Sequence, residues 1–463
     1  MEIVPRWSFG VLNPSDTIWV PGSILLLAEP NQPETPTPST TKTTPDGSII
    51  LSPQPDDSPN DPLNWPRWRR DAALAALGIY CMVGGGMTPL LAAGFTDIAA
   101  DYGVPVKRVA LTTGMFMLGL GLGCVVVSPT AIIYGKRPVY LASVVLFLAA
   151  SVWCAESPDF VSLLLARVVQ GVAVSPVEAL PSASISEMFF LHERAFRIGL
   201  YGLMLLGGKN LVPLVSAAVI ERLGWRWVFW VVLMVVSLCG VLLFLFVSET
   251  FWDRTPPLKN DAPDSVQPQG PSSQEGKEKR EKIHRHHLPL PVHVPYRFSA
   301  FATGLVYIAP FIGGVLGTAV AGRASDLVVR AMARHNKGVY EPEFRLVMML
   351  PVLIATVAGL MGFGWSVGGS TTAITFCLDS YRQFAGEALV TLNFSKNILH
   401  GMVFSLFITG WVQSDGPKTV FIWIGVIQSV LLTTTLPMFL YGKRARQWTA
   451  KRSAASGSKI EFK

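Results

Sequence analysis

The sequence predicts an all-α polytopic membrane protein of two helical bundles, the second incomplete. Three observations predict it. Half of the 463 residues are hydrophobic and only 15% are charged, against roughly 25% in a soluble domain. Ten apolar stretches are long enough to cross ~30 Å of hydrocarbon as helices, the structure in which every backbone amide finds its partner within the segment. Weak internal repetition relates the two halves.

In chain order, residues 1–70 are rich in Pro, Ser, Thr and Asp and are expected to form a mostly disordered cytosolic arm. No basic segment followed by a long apolar core opens the chain, so no cleaved signal is expected. Six spans follow at 72–93, 109–133, 138–155, 160–186, 198–220 and 227–248, the six-helix bundle of a domain over 71–250. Lys136 and Arg137 fill one tight loop and Arg194 and Arg197 another two spans later, while the loop between them holds Glu156 and Asp159. Basic loops are cytosolic, which places the N-terminus inside. Residues 251–298 form a hydrophilic linker, cytosolic by the same count. The second bundle, 299–442, has full spans at 299–322, 346–365, 388–412 and 419–441, and 443–463 form a cytosolic tail.

The second half has a parity problem. The loop 323–345 carries Arg323, Arg330, Arg334, Lys337 and Arg345 against Asp326, Glu341 and Glu343, and should also be cytosolic. One span separates it from the linker, where two cytosolic segments need an even number. Residues 366–378 are apolar but too short to cross at 1.5 Å per residue, the remnant of a tenth span. A shift of 190 residues aligns Thr113-Gly114 with Thr303-Gly304 and Gly123 with Gly313, and Gly208-Lys209-Asn210-Leu211 matches Ser395-Lys396-Asn397-Ile398. This is a two-half repeat. Under it span one falls on charged linker, so its partner, span seven, is absent.

Composition excludes several classes. All five cysteines lie in apolar stretches without metal-ligand spacing, so neither a disulfide framework nor a metal site is expected. The net charge of +7 comes from short loops and the tail, a topology signal rather than a nucleic-acid surface. No phosphate-cradling loop or catalytic-triad spacing is present; the chain is expected not to be an enzyme and to need no cofactor.

Several motifs resemble the major facilitator superfamily, and within it the fungal branch of the twelve-span drug:proton antiporters. DPLNWP (61–66) precedes span one. YGKRP (134–138) is similar to the end of the family's loop 2-3 signature, with Gly135 at the turn and Lys136 and Arg137 as its basic pair; Ile132 stands where an acid is usual and Ser128 where a glycine is. ARVVQG (166–171) resembles the Arg-x-x-Gln-Gly motif of span four, and GGKNLVP (207–213) the proline-centred antiporter motif of span five, with Ser216 and Ala217 where glycines are usual. FFLHERAFR (189–197), GWRW (224–227) and EPEFRL (341–346) extend the match. The resemblance implies two bundles rocking around a midplane site.

Charges at membrane depth are expensive and mark candidate transport residues. Arg167 and Glu178 lie three turns apart on one helix, on one face with Gln170 between. Glu178 is the expected proton-titrating or cation-contacting carboxylate, with Arg167 as its counterweight or relay partner. Alternatively Arg167 snorkels to the outer interface and Glu178 pairs with Lys209. Lys209 and Lys396 are equivalent in the repeat, either facing an anionic group in the cavity or forming exchanging salt bridges. Asn210, Asn397 and His400 are polar neighbours, read as interhelical hydrogen-bonding groups, with His400 also placed to join a proton path. Glu187, Asp379 and Glu387 sit at cytosolic span ends and, with Arg194 and Asp326, form the expected gate and loop constellation.

The expected function is proton-coupled export of small organic molecules by a monomer in the lipid bilayer, in the plasma membrane rather than the vacuole. Its expected partners are a small-molecule substrate and protons, with no nucleic acid. The competing reading is a non-transporting relative acting as a receptor or scaffold, or an incomplete translation of a longer transporter.

Overall fold

A computed structural model of the chain describes residues 24–26, 42–252, 308–336, 338–349, 351, 391, 393–398 and 404–455. Asp61 opens the helical region by accepting from Leu63 N at 3.0 Å, and α1 (Arg67–Gly86) follows. The sequence predicts this span to reach residue 93, but the helix stops at Gly86. Three glycines weaken its last turn, and Pro89, two residues beyond Met87, has no N–H to continue it. Short helices α2 (Phe95–Asp101) and α3 (Val106–Val109) lead into α4 (Leu111–Tyr134), α5 (Lys136–Ala155), α6 (Phe160–Ala179), α7 (Pro181–Met188), α8 (Leu191–Leu223) and α9 (Trp225–Phe246).

Among the described residues, six helical segments are long and apolar enough to cross a membrane: Val106–Tyr134, Lys136–Ala155, Phe160–Met188, Leu191–Leu223, Trp225–Phe246 and Trp423–Trp448. Helix α1 fails that test because Arg67, Arg69, Arg70 and Asp71 occupy its first turns.

Close backbone approach organises the first bundle. A Cβ on Gly171 would lie 2.1 Å from Phe116 O and one on Gly119 2.0 Å from Val168 O, which packs α6 on α4. Gly208 and Gly85 do the same for α8 and α1, against Met82 O and Leu205 O. Small residues at helix interfaces serve this purpose in membranes, where apolar burial gives no drive for helices to associate. Gly135 makes the α4–α5 turn with φ +88.

In the second half the structure describes α10 (Ile308–His335), the 3-10 segment Pro342–Met348, α11 (Phe404–Thr433) and α12 (Thr435–Ala455). The sequence predicts a loop at 413–418. Helix α11 instead runs unbroken through it, with Trp411 Nε1 donating to Asp415 Oδ2 at 3.0 Å, and the chain breaks at Thr434. Pro437 there offers no N–H to the carbonyl of Thr433. The predicted span 346–365 and remnant 366–378 lie almost wholly outside the described residues.

The expected loop 323–345 is not all loop, because α10 runs on through residue 335, past the expected span end at 322; the segment gathers on the same face as Lys136, Glu187 and Arg194, where Val329, Met332, Ala333, Tyr340 and Phe344 share an apolar cluster with Leu191 at the start of α8. The end of α9 is on this face too, since Glu249 accepts from Lys136 N. Helix α10 is the described helix between them, and residues 253–307 lie outside the described residues.

The arm expected to lack structure is partly built. Strand β1 (Ile24–Leu25) pairs antiparallel with β2 (Val339–Tyr340), and Leu26, 1% exposed, enters the same apolar cluster. Its polar composition hides Leu26 and Ile49, the apolar residues that dock it.

Candidate functional site

The site is built where a helix breaks. Pro181 has no N–H, so α6 gives way to α7 at Leu180 and the carbonyl of Val177 loses its helical partner. Tyr201 OH donates to Val177 O at 3.1 Å and Cys81 Sγ lies 3.7 Å from it. One turn earlier Pro176 frees Val172 O, which accepts from Ser175 Oγ at 2.7 Å. Such a locally satisfied break is how membrane helices expose polar groups at depth.

Glu178, next to this break, is buried. It stands ten residues from Met188, about 15 Å along the helix and half the hydrocarbon thickness. Lys396 Nζ lies 2.8 Å from Glu178 Oε2, Lys209 Nζ 3.6 Å from Oε1, and Asn397 Nδ2 donates to Oε2 at 2.9 Å. Asn393 Nδ2 donates to the main-chain carbonyl of Glu178 at 2.9 Å, and Lys396 also donates to Asn393 Oδ1 at 3.3 Å. One carboxylate is thus held by a lysine from α8 in the first half and by Lys396, Asn393 and Asn397 from the second. The turn bearing Lys396–Ile398 widens to π geometry, a local form that recurs at functional sites. Asn397 Oδ1 is buried with no hydrogen-bond partner among the described residues.

Arg167 makes its contacts away from the Glu178 cluster, with Gln170, Met87 O and Phe116. It is 0% exposed, so it does not snorkel. It also lies eleven residues away, about 16 Å along the helix. Its Nη1 donates to Gln170 Oε1 at 2.6 Å, its Nη2 to Met87 O at 2.8 Å, and its guanidinium stacks 4.5 Å over Phe116. Met87 O is available because α1 ends at Gly86. Gln170 Nε2 continues the network to Ser151 Oγ at 3.2 Å. Asn210 is also outside the site, donating to Leu206 O on its own helix at 2.9 Å. His400, Asp379 and Glu387 lie outside the described residues.

Several contacts of the expected gate residues lie within one half. Lys136 Nζ meets Glu187 Oε2 at 2.6 Å and Arg194 Nη2 donates to Ser186 O at 3.1 Å, all in the first half. Asp326 Oδ1 lies 3.5 Å from Arg345 Nη1, both in the second. Glu249, which sequence reasoning missed, accepts from the backbone N–H groups of Lys136 and Arg137 at 3.1 and 3.0 Å, capping α5. Burial alone would push its carboxyl up, but the bonds from Arg137, Phe251, Lys136 and Thr250 outweigh it and hold the group below its ordinary value.

The Major Facilitator Superfamily profile matches residues 73–285. An uncharacterised MFS-type transporter of Schizosaccharomyces pombe is 26% identical over 548 aligned positions, covering 94% of each chain. The chain is similar to the major facilitator superfamily over these residues. Protein HOL1 of Saccharomyces cerevisiae is 24% identical, over 87% of this chain and 91% of its own. The MFS antiporter QDR3 of Candida albicans is 31% identical over 44% of this chain and 28% of its own. Together with the six apolar helical segments, these relatives mark a multi-pass integral membrane protein. The S. pombe alignment spans 548 positions and this chain has 463 residues, so at least 85 positions of that relative have no counterpart here.

Two further site residues were legible but overlooked. Asn393 precedes Lys396 and Asn397 by three and four residues, the spacing of one helix face. Glu249 is the first carboxylate after span six, directly opposite the Gly135 turn.

Proposed function

We propose that this chain is a secondary transporter of the major facilitator type that exports small organic molecules by proton-coupled alternating access, with Glu178 as the proton-binding carboxylate. The observation that supports it is the ion-pair cluster: one carboxylate at mid-depth is shared by Lys209 of the first half and Lys396 of the second. Protonating Glu178 removes the charge that joins the halves, which couples proton occupancy to their rocking. Lys136–Glu187, Arg194 and Asp326–Arg345 then stiffen the cytosolic ends of each half so that each moves as a body. Arg167 and Gln170 brace α6 against the end of α1. The basic face is cytosolic, the N-terminus is inside, and the monomer works in the plasma membrane.

The test is efflux of a fluorescent lipophilic dye from proteoliposomes under an imposed pH gradient. The native chain accelerates efflux and the acceleration disappears when the gradient is collapsed. Glu178→Gln, which keeps the shape and removes the titration, loses the gradient dependence. A Glu178→Gln chain with undiminished gradient-driven efflux rejects the assignment.

The single described helix between two segments of the basic face, with the unmatched positions of the relative, favours a second reading. The chain as written lacks a cavity-lining span and does not transport, serving as a receptor or scaffold or representing an incomplete translation. No gradient-dependent efflux by the native chain decides for it.

A further inference from the structure

The two halves are joined on the basic face by a ribbon of main chain that no expected gate residue supplies. Leu26 N donates to Gly338 O at 2.8 Å, extending the β1–β2 pairing of Ile24 with Tyr340 and Leu25 with Val339. On its other side Leu26 O accepts from Ile50 N at 2.9 Å, and Ile50 bridges to Thr43 across the turn at Gly47. Two residues further on, Ser52 O accepts from Leu191 N at 2.9 Å. Leu191 is the first residue of α8, in the first half, whereas Gly338 to Tyr340 follow α10 in the second. The ribbon therefore runs from one half to the other by backbone hydrogen bonds.

Its apolar side is also shared. Leu26 is 1% exposed and packs in one cluster with Leu191 of the first half and Val329, Met332, Ala333, Tyr340 and Phe344 of the second; Ile49 lies against it. Separating the halves on this face would expose Leu26 and break the Gly338, Ile50 or Leu191 bond, because the three lie in series along the ribbon.

We propose that residues 24–26 and 42–53 form an autoinhibitory strap that holds the basic face closed and must release before that face opens. The inference rests on the two-half rocking of the proposed function, but its test does not require transport. The occupant of the groove beside β2 is the chain's own N-terminal arm, placed by strand addition to an exposed edge.

The test uses the full chain in nanodiscs with spin labels at Tyr134→Cys and Leu327→Cys, exposed positions on α4 and α10. The background is Cys377→Ser, the other four cysteines being buried. Pulsed electron–electron distances in the native arm show one short population. Leu26→Asp, which forces a charge into the apolar cluster, at least doubles the long-distance fraction, and Leu26→Met restores the native distribution. Without spin labels, Leu25→Cys with Val339→Cys forms a disulfide under mild oxidant. An unchanged distribution in Leu26→Asp overturns the proposal, as does failure of the cysteine pair to join. Dye efflux separates the two ideas: efflux with unchanged distances removes the strap alone, and altered distances without efflux remove the transport reading alone.

Discussion

Glu178 is the residue on which both halves converge, and its two lysines are not equal partners. Lys396 hydrogen-bonds it at 2.8 Å while Lys209 stands at 3.6 Å. Removing either lysine leaves Glu178 paired with the other, so the loss is smaller than the roughly 3–5 kcal/mol of a buried pair stripped of its only partner, and it scales with how closely the lost lysine was held. Lys396→Met therefore lowers thermal stability in detergent more than Lys209→Met does, and equal effects would show that the shorter bond carries no more of the load. Arg167→Lys loses stability as well, by about 1–3 kcal/mol, because an ammonium cannot serve Gln170, Met87 O and the Phe116 face together. The charges at depth were legible in the sequence because such residues are rare in spans. Arg167's partner was not: an eleven-residue spacing on one face says nothing of a carbonyl freed by the early end of another helix.

Helix ends and helix contacts decide the next scale. Glu249 caps α5, and its depressed pKa sets a direction for acid sensitivity. The stabilisation is complete above the ordinary carboxylate value of 4.5 and is lost as pH falls through the lower folded value. The melting-temperature gap between the native chain and Glu249→Gln is thus widest at neutral pH and closes below about pH 4.5. A constant gap would mean that the charge is not what caps the helix. Gly135→Ala fails at the same turn for two reasons, a φ of +88 and a Cβ 2.5 Å from Glu249 Oε2, with about 1–3 kcal/mol from the backbone alone. On the α4–α6 contact, Gly171→Ala must push Phe116 O from 2.1 Å, whereas Gly78→Ala meets Met204 Cγ at 3.3 Å. The yield of folded protein falls sharply for the first and little for the second. The glycine-rich faces announced such packing; the end of α1 at Gly86 and the unbroken α11 were hidden, because hydropathy marks where a helix is allowed and not where its hydrogen bonds stop.

The whole molecule was read most securely from its first half, where six predicted spans and alternating loop charge correspond to α1 and α4 to α9. The second half resisted, since parity detects a missing crossing without showing what replaces it. On the incomplete-translation reading, sequencing the transcript across codons 250–300 and 360–385 reveals coding segments that include ~20 apolar residues ahead of Ser299; a transcript matching this chain rejects that reading. Polar composition concealed the arm's role, because two aliphatic side chains dock a segment whose average is hydrophilic.

Helix α8 has 33 residues, about 50 Å of rod against ~30 Å of hydrocarbon. It is a lever longer than the membrane it crosses. A tilt of about 10° around its middle, near Lys209, carries each tip sideways by about 4 Å. That exceeds the 2.9 Å bond between Leu191 N at one tip and Ser52 O. A rotation too small to disturb packing at the pivot is thus magnified at the tip into the making or breaking of a single hydrogen bond.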